Sequence, residues 1–273
     1  IENASITIES GEGRDRLYLR MWVDAHHPVI RIEGESEQVR DVEVSVELWR
    51  TQVREITNQK ETHSYMMQEA AHERIHEYPD TVADIPEALV WYHRNETSAV
   101  TESLRRQELG HLIGKVVDPL MGLTFGARIE GKNFEKKTSQ QLAAKAVTRF
   151  EISCTVLTRQ CDAAQVWCDE IASLAQKVSK IDIESAWGKH QDWWEQFWQR
   201  STVKISGTPE AERVTRAYEL QRYLNACQSR GRFPIKFNGS IFTVEPKPTG
   251  GQPFDADWRR WGDCYWWQNT RLP

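Results

Sequence analysis

Apolar and polar residues alternate along the first half of the chain. In DVEVSVELW, Val42, Val44, Val46 and Leu48 fall on one side of an extended backbone, and Asp41, Glu43, Ser45 and Glu47 on the other. This is the signature of an antiparallel strand with one face buried. RLYLRMWV repeats it with Leu17, Leu19, Met21 and Val23 together, and HPVIRIEG follows a turn at Pro28. EALVWYHR, LTFGARIEG and AVTRFEISCTVLTR complete the set, separated by polar, glycine-bearing or proline-bearing connections. Residues 1–163 are therefore expected to form an antiparallel β-sandwich domain.

Beyond that point the period changes from two to that of a helix. DAAQVWCDEIASLAQKVSKI places Val166, Ile171, Leu174 and Val178 near one face, and DIESAWGKHQDWWEQFWQRS aligns Trp187, His190, Trp194 and Trp198 along a stripe. Packing against a core or a neighbouring domain is the favoured reading of that stripe, because large aromatics dominate buried area; a sugar platform is the other. A further helix is punctuated by Thr208 as N-cap, Pro209 at its first position, Glu210 and Glu212 in its first turn, and Gly231 just past its end. The expected organisation is a β-domain over 1–163, a helical linker over 164–206 and the start of a helical domain over 207–273.

Composition narrows the function classes. With 273 residues and a net charge of −5, the chain offers no broad basic surface for nucleic acid, and no apolar run approaches the roughly 20 residues that a membrane-spanning helix needs. Neither nucleic acid nor membrane is expected as a partner. The five cysteines, Cys154, Cys161, Cys168, Cys227 and Cys264, form no C-x-x-C pair, so neither a zinc ribbon nor a dense disulfide framework is indicated, although one bridge would fit. Asn3, Asn95 and Asn238 head N-x-S/T triplets. The first residues carry no basic and apolar leader, and both ends read as boundaries of a fragment.

One motif competes for attention. HERIH at 72–76 fits H-E-x-x-H, in which two histidines one helical turn apart hold Zn²⁺ and the glutamate activates water, and Glu96 stands downstream as a third ligand. A zinc-peptidase helix keeps this motif between apolar neighbours, yet Arg74 lies inside it, Glu77 follows directly, and Pro79 and Pro86 intervene before a strand-like run leading to Glu96. A chance match on a polar insertion is the favoured reading. No metal and no cofactor are therefore expected, and a zinc peptidase stays as a second alternative.

The end of the chain is the richest in candidate chemistry. RGRFPIKFNGSIFTVEPKPTGG presents Lys236 and Asn238 between aromatic residues, and DADWRRWGDCYWWQNTRLP sets Asp255, Asp257, Asp263, Arg259, Arg260, Arg271, Gln268 and Asn269 among Trp258, Trp261, Trp266 and Trp267. Amides and charged groups hydrogen-bond hydroxyls, and indole faces stack on the C–H faces of sugars, so the mixture suits a carbohydrate. Burial of a tryptophan-rich helix with its charges paired is the competing explanation.

AYELQRYLNACQSRGRFPIKFNGSIF resembles the helix-and-loop stretch of the (α/α)6-toroid glycoside hydrolases allied to family 95, and YWWQNTRLP resembles their next inward helix. The resemblance implies an N-terminal β-supersandwich, linker helices and the start of an (α/α)6 toroid. A poorly characterised branch of this group, which pairs a β-domain of unknown function with the toroid start, is more similar still. In the fucosidase-type members a pair of asparagines positions the attacking water; Asn269 matches the second of the pair, and Trp267 occupies the place of the first. Lys236 and Asn238 match positions lining the sugar pocket. The resemblance thus implies Asn269 as a water-positioning residue and Lys236 and Asn238 as substrate-binding residues, and the side-chain chemistry of the last segment adds Trp261, Asp263, Gln268 and Arg271 to the substrate-binding candidates.

Such enzymes act on oligosaccharides or polysaccharides, here of plant or host origin, by an inverting mechanism, and are exported to the periplasm or beyond the cell. Glycoside hydrolysis needs two carboxyl functions. In the resembling enzymes the catalytic acid comes from later toroid helices, so the expectation is that residues 1–273 contribute one wall of the site and are inactive by themselves. A non-catalytic carbohydrate-binding or scaffold protein is the alternative.

Overall fold

A computed structural model describes residues 3–55, 76–228 and Arg230. Ten strands, β1 (Ser5–Ser10), β2 (Leu17–Val23), β3 (Val29–Ser45), β4 (Arg54–Glu55), β5 (His76–Glu77), β6 (Thr81–Ala83), β7 (Leu89–Arg94), β8 (Leu123–Gly131), β9 (Glu135–Thr138) and β10 (Gln141–Gln160), precede most of the helical residues. The helices are α1 (Val100–Arg106), α2 (Ala164–Ser179), α3 (Ile183–Arg200) and α4 (Pro209–Gln228). The expected order of a β-domain leading into helices is what the structure has.

The strands pair antiparallel in the order β1-β2-β3-β10-β8-β7-β6, with β9 added to the far end of β10 and β4 and β5 forming a separate pair. HPVIRIEG and DVEVSVELW, which read as two strands, contribute to one long strand, β3. Its register against β10 jumps from Glu35↔Arg149 to Arg40↔Val147. Such an irregularity bends and twists both strands. Residues from both sides of it, including Ile152, Leu142 and Ala144, then share one apolar cluster with Leu89 and Phe134, and Val42, Val44 and Val46 pack on it as their alternation predicts. The result is sandwich-like.

Two face assignments differ from the sequence reading. At the end of β2, Val23 is 61% exposed and Trp22 only 1%. On α2 the buried positions are Trp167, Ile171, Ala175 and Val178, while Val166 faces solvent. Each element turns its largest side chain inward: Trp22 meets Trp187 and His190 of α3, and Trp167 anchors α2. Trp167 donates its indole N–H to the Leu157 carbonyl (3.2 Å) and joins Ala88, Val90 and Ile171 in a second apolar cluster.

Helix α3 covers the other end of the same face. Asp182 caps it by accepting from the Ser185 N–H (2.8 Å). Trp22 of β2 meets Trp187 at a centroid distance of 5.1 Å and His190 at 4.8 Å. His190 is fully buried, and its Nε2–H donates to the Asn3 carbonyl (2.8 Å), which leaves Nδ1 bare and without a partner. Burial lowers its pKa from 6.5, against the opposing pull of the Asn3 carbonyl and the charge of Asp24, with His26 adding to the depression.

The stability carried by neutral His190 is present above pH 6.5 and is lost as pH falls below it, because the unfolded chain then binds a proton that the folded chain resists. Thermal unfolding at pH 7.5 and 5.5 should show a smaller drop for His190→Phe than for the wild type; equal drops would refute this assignment. Gly126 supplies a second test. A Cβ there would stand 2.0 Å from the Trp91 carbonyl oxygen, whereas one at Gly188 on α3 meets nothing within 4 Å. Gly126→Ala should lower Tm, and Gly188→Ala should raise stability by about 0.5–1 kcal/mol through helix propensity.

Candidate active-site cleft

The substrate-binding candidates Lys236, Asn238, Trp261, Asp263, Gln268 and Arg271, and the water-positioning candidate Asn269, lie outside the described residues, as do His72 and Glu73 of the H-E-x-x-H motif. His76 is described, and it stands in strand β5 opposite Glu55. Glu96 lies in a loop and pairs with Arg94 (3.1 Å). Neither residue is on a helix, which corrects the helical geometry that the zinc reading needs. Among the described residues no three His, Cys, Asp or Glu side chains gather as a metal site. Cys154, Cys161, Cys168 and Cys227 are free thiols, and burial pushes Cys154 up to about 11.

The described part of the helical region has a cleft of its own, built where α3 ends and α4 crosses it. Helix α4 starts as its sequence dictates: the Thr208 hydroxyl accepts from the Ala211 N–H (3.2 Å), and Pro209 is the first helical residue. Tyr218 and Arg222 stand one turn apart on α4. The Arg222 guanidinium donates to the Ser201 carbonyl and to the Phe197 carbonyl (3.1 Å), groups that α3 leaves unpaired at its C-terminus. It also stacks on Phe197 (4.6 Å), Trp198 (5.2 Å) and Tyr218 (5.9 Å). One arginine thus caps the negative end of α3 and joins the two helices through cation–π contacts.

The stripe predicted on α3 divides into two functions. His190 and Trp194 are buried, as packing requires. Trp194 touches Phe197, Trp198 and Tyr223, and burial pushes the Tyr223 hydroxyl up to about 12, helped by Cys227. Trp198 is half-buried and lines a cleft of about 610 Å³ together with Asn3, Thr202, Tyr218, Glu219 and Arg222. Arg216 and Ser5 complete its rim. The sequence reading missed Tyr218, Glu219 and Arg222. Their signal was the spacing in AYELQRYL, which puts Tyr218 and Arg222 on one helical face and Glu219 beside them.

Aromatic faces with flanking amide, carboxylate and guanidinium groups suit a hydroxylated ligand. Among the described residues Glu219 is the one carboxylate lining the cleft, and glycoside hydrolysis needs two carboxyl functions.

Residues 1–203 match the family DUF5703_N, a domain of unknown function (DUF5703). No curated protein matches the chain. A solved structure described as a "putative kojibiose phosphorylase from human microbiome" is similar at 10% identity with a TM-score of 0.44; the likeness covers 87% of this chain and 29% of that one.

Arg222 generates the prediction for this region. Arg222→Lys keeps the charge but loses the planar fork and its stacking, and Arg222→Ala loses everything. The alanine variant should lower Tm by the equivalent of about 1–3 kcal/mol, with lysine in between, measured by calorimetry; an unchanged Tm in both would show that α4 is held by other contacts.

Proposed function

We propose that this chain, which belongs to the DUF5703_N family, is the front part of a carbohydrate-active enzyme: a β-domain, linker helices and one wall of a saccharide site. The observation that carries the reading is the junction of α3 and α4. The cleft lined by Trp198, Tyr218, Glu219 and Asn3 lies on α4 and its neighbours, and α4 runs directly into RGRFPIKFNGSIF, the stretch that resembles a sugar-site loop.

In this reading the substrate is an oligosaccharide or polysaccharide of plant or host origin, and the reaction is inverting hydrolysis of a glycosidic bond outside the cytoplasm. Asn269 orients the attacking water, while Lys236, Asn238, Trp261, Asp263, Gln268 and Arg271 hold the sugar. The acid and the carboxylate behind the base come from later toroid helices of the full polypeptide, as the resemblance implies. Trp267, in the place of the first asparagine of the water-positioning pair, favours a second reading, a carbohydrate-binding domain without chemistry of its own.

Monosaccharide release from a panel of plant and mucin polysaccharides, treated with the full-length parent polypeptide, tests the proposal. Release is expected to survive a chelator and to fall at least tenfold, about 1.4 kcal/mol of barrier, in Asn269→Ala. Running the assay with and without inorganic phosphate tells hydrolysis from phosphorolysis, since the latter yields a sugar phosphate. No release from any polymer would leave the binding reading in its place.

A further inference from the structure

A second cleft lies on the other side of α3, and one side chain in it has unmet bonding capacity. Across the inner sheet, Trp22, Arg31, Ser153 and Glu130 stand in one row, contributed by β2, β3, β10 and β8. The next row holds Val29, Thr155, Arg128 and Val90. Helix α2 covers the Val90 side through Trp167 and Ile171, and α3 covers the Trp22 side through Trp187 and His190. Between them the polar centre of the sheet is left open. It forms the floor of a cleft of about 950 Å³, roofed by the corner that joins α2 to α3, with Ser179, Lys180 and Asp182 at its edge.

Arg31 belongs to that floor, and its side chain is only 3% exposed. Its Nε donates to Asp24 Oδ2 (3.3 Å), and Asp24 Oδ1 is already taken by the backbone N–H groups of His26 (2.9 Å) and His27 (3.2 Å). The buried Nη2 has no hydrogen-bond partner. A guanidinium has five N–H donors in a planar fork that fits a carboxylate with two parallel bonds. Leaving such donors unmet in the interior is costly, and more so when the group is charged. Arg128 does not compete for the same ligand, since it is clamped on Glu130 (2.8 and 2.6 Å). Ser153 and Thr155 offer hydroxyls beside Arg31, Glu151 an acceptor, and Lys132 and Lys180 further positive charge.

We propose that this cleft binds the carboxylate of a uronic acid, with the unpartnered Nη2 of Arg31 on the carboxylate and the Ser153, Thr155 and Glu151 side chains on the ring hydroxyls. The inference rests on the carbohydrate reading above, and it places an acidic-sugar subsite in the β-domain itself. Asp24 fixes the fork from behind, as an orienting carboxylate does.

Calorimetric titration of the 273-residue chain with D-glucuronate, with D-glucose as the neutral ring and with inorganic phosphate as a bare oxyanion, tests it. Glucuronate should bind, glucose at least roughly tenfold more weakly, and phosphate more weakly than glucuronate. Arg31→Gln combined with Asp24→Asn removes both charges together and should abolish binding. Because that pair is buried, Ser153→Leu, which fills the cleft and leaves the ion pair intact, is the second variant and should also abolish it, with circular dichroism confirming the fold of each. No glucuronate binding, equal binding of glucose, or binding that survives Ser153→Leu would overturn the proposal, and equal binding of phosphate would overturn its saccharide part. Failure here with sugar release by the parent would leave the enzyme reading standing; binding here without any release would do the reverse.

Discussion

Burial of Trp22 is the interaction on which the architecture turns. Its indole stands at the inner edge of β2, touches Trp187 and His190 of α3, lies 5.6 Å from the Arg31 guanidinium and donates to Glu33 (3.2 Å). A tryptophan in this position delivers a large apolar area while its single donor is satisfied at the rim. Because it is the sheet that receives α3, the helix axis and the sheet rows are locked to each other, and everything built on α3 inherits that reference. His190 follows from it: once the seam is dry, the imidazole must be neutral, and the Asn3 carbonyl selects which nitrogen keeps the proton.

The same seam explains why open space is found where it is. An antiparallel sheet covered by one broad layer would bury its central row and forbid charges there. Here two helices dock at its two ends through Trp167 and Trp22, and the centre between them holds Arg31, paired with Asp24, and Glu130, paired with Arg128. At the far end of α3, where Ser201 is in extended backbone, Arg222 closes the carbonyls and the α4 cleft opens beside it. Both clefts are therefore consequences of how one helix is anchored and how it ends.

Much of this organisation was legible in the residues. Period-two alternation located the strands, and the Thr208–Pro209 pair marked a helix start through the local chemistry of caps, which tertiary context does not override. What failed was the choice of face at Val23 and Val166. Alternation separates two faces without saying which one a helix covers, and at the end of β2 the covered face is that of Trp22, which α3 meets. The Asp24–Arg31 pair was invisible for a related reason: seven residues apart across a turn, the two carry no periodic signal, and only the hairpin brings them together. The residues expected to bind sugar were read from motif resemblance and side-chain composition, which assign location without geometry, whereas Tyr218 and Arg222 needed only helical spacing.

Arg222 and Arg31, one from each cleft, show how geometry separates a clamp from a binding group. Arg222 lines a cleft, yet its terminal nitrogens are committed to the Phe197 and Ser201 carbonyls and its face to three aromatic rings, so a ligand there would meet the aromatic edges and Glu219 rather than the guanidinium. Arg31 is the opposite case. One donor is held by Asp24, the side chain cannot swing to bulk solvent at 3% exposure, and the buried Nη2 finds no acceptor in the chain. Replacing the Asp24–Arg31 pair by apolar residues of similar volume would commonly be neutral or stabilising. A fork held in place with its Nη2 unmet is organised in advance for an anion, and it is this preorganisation, more than the charge itself, that distinguishes the Arg31 cleft from an ordinary polar surface.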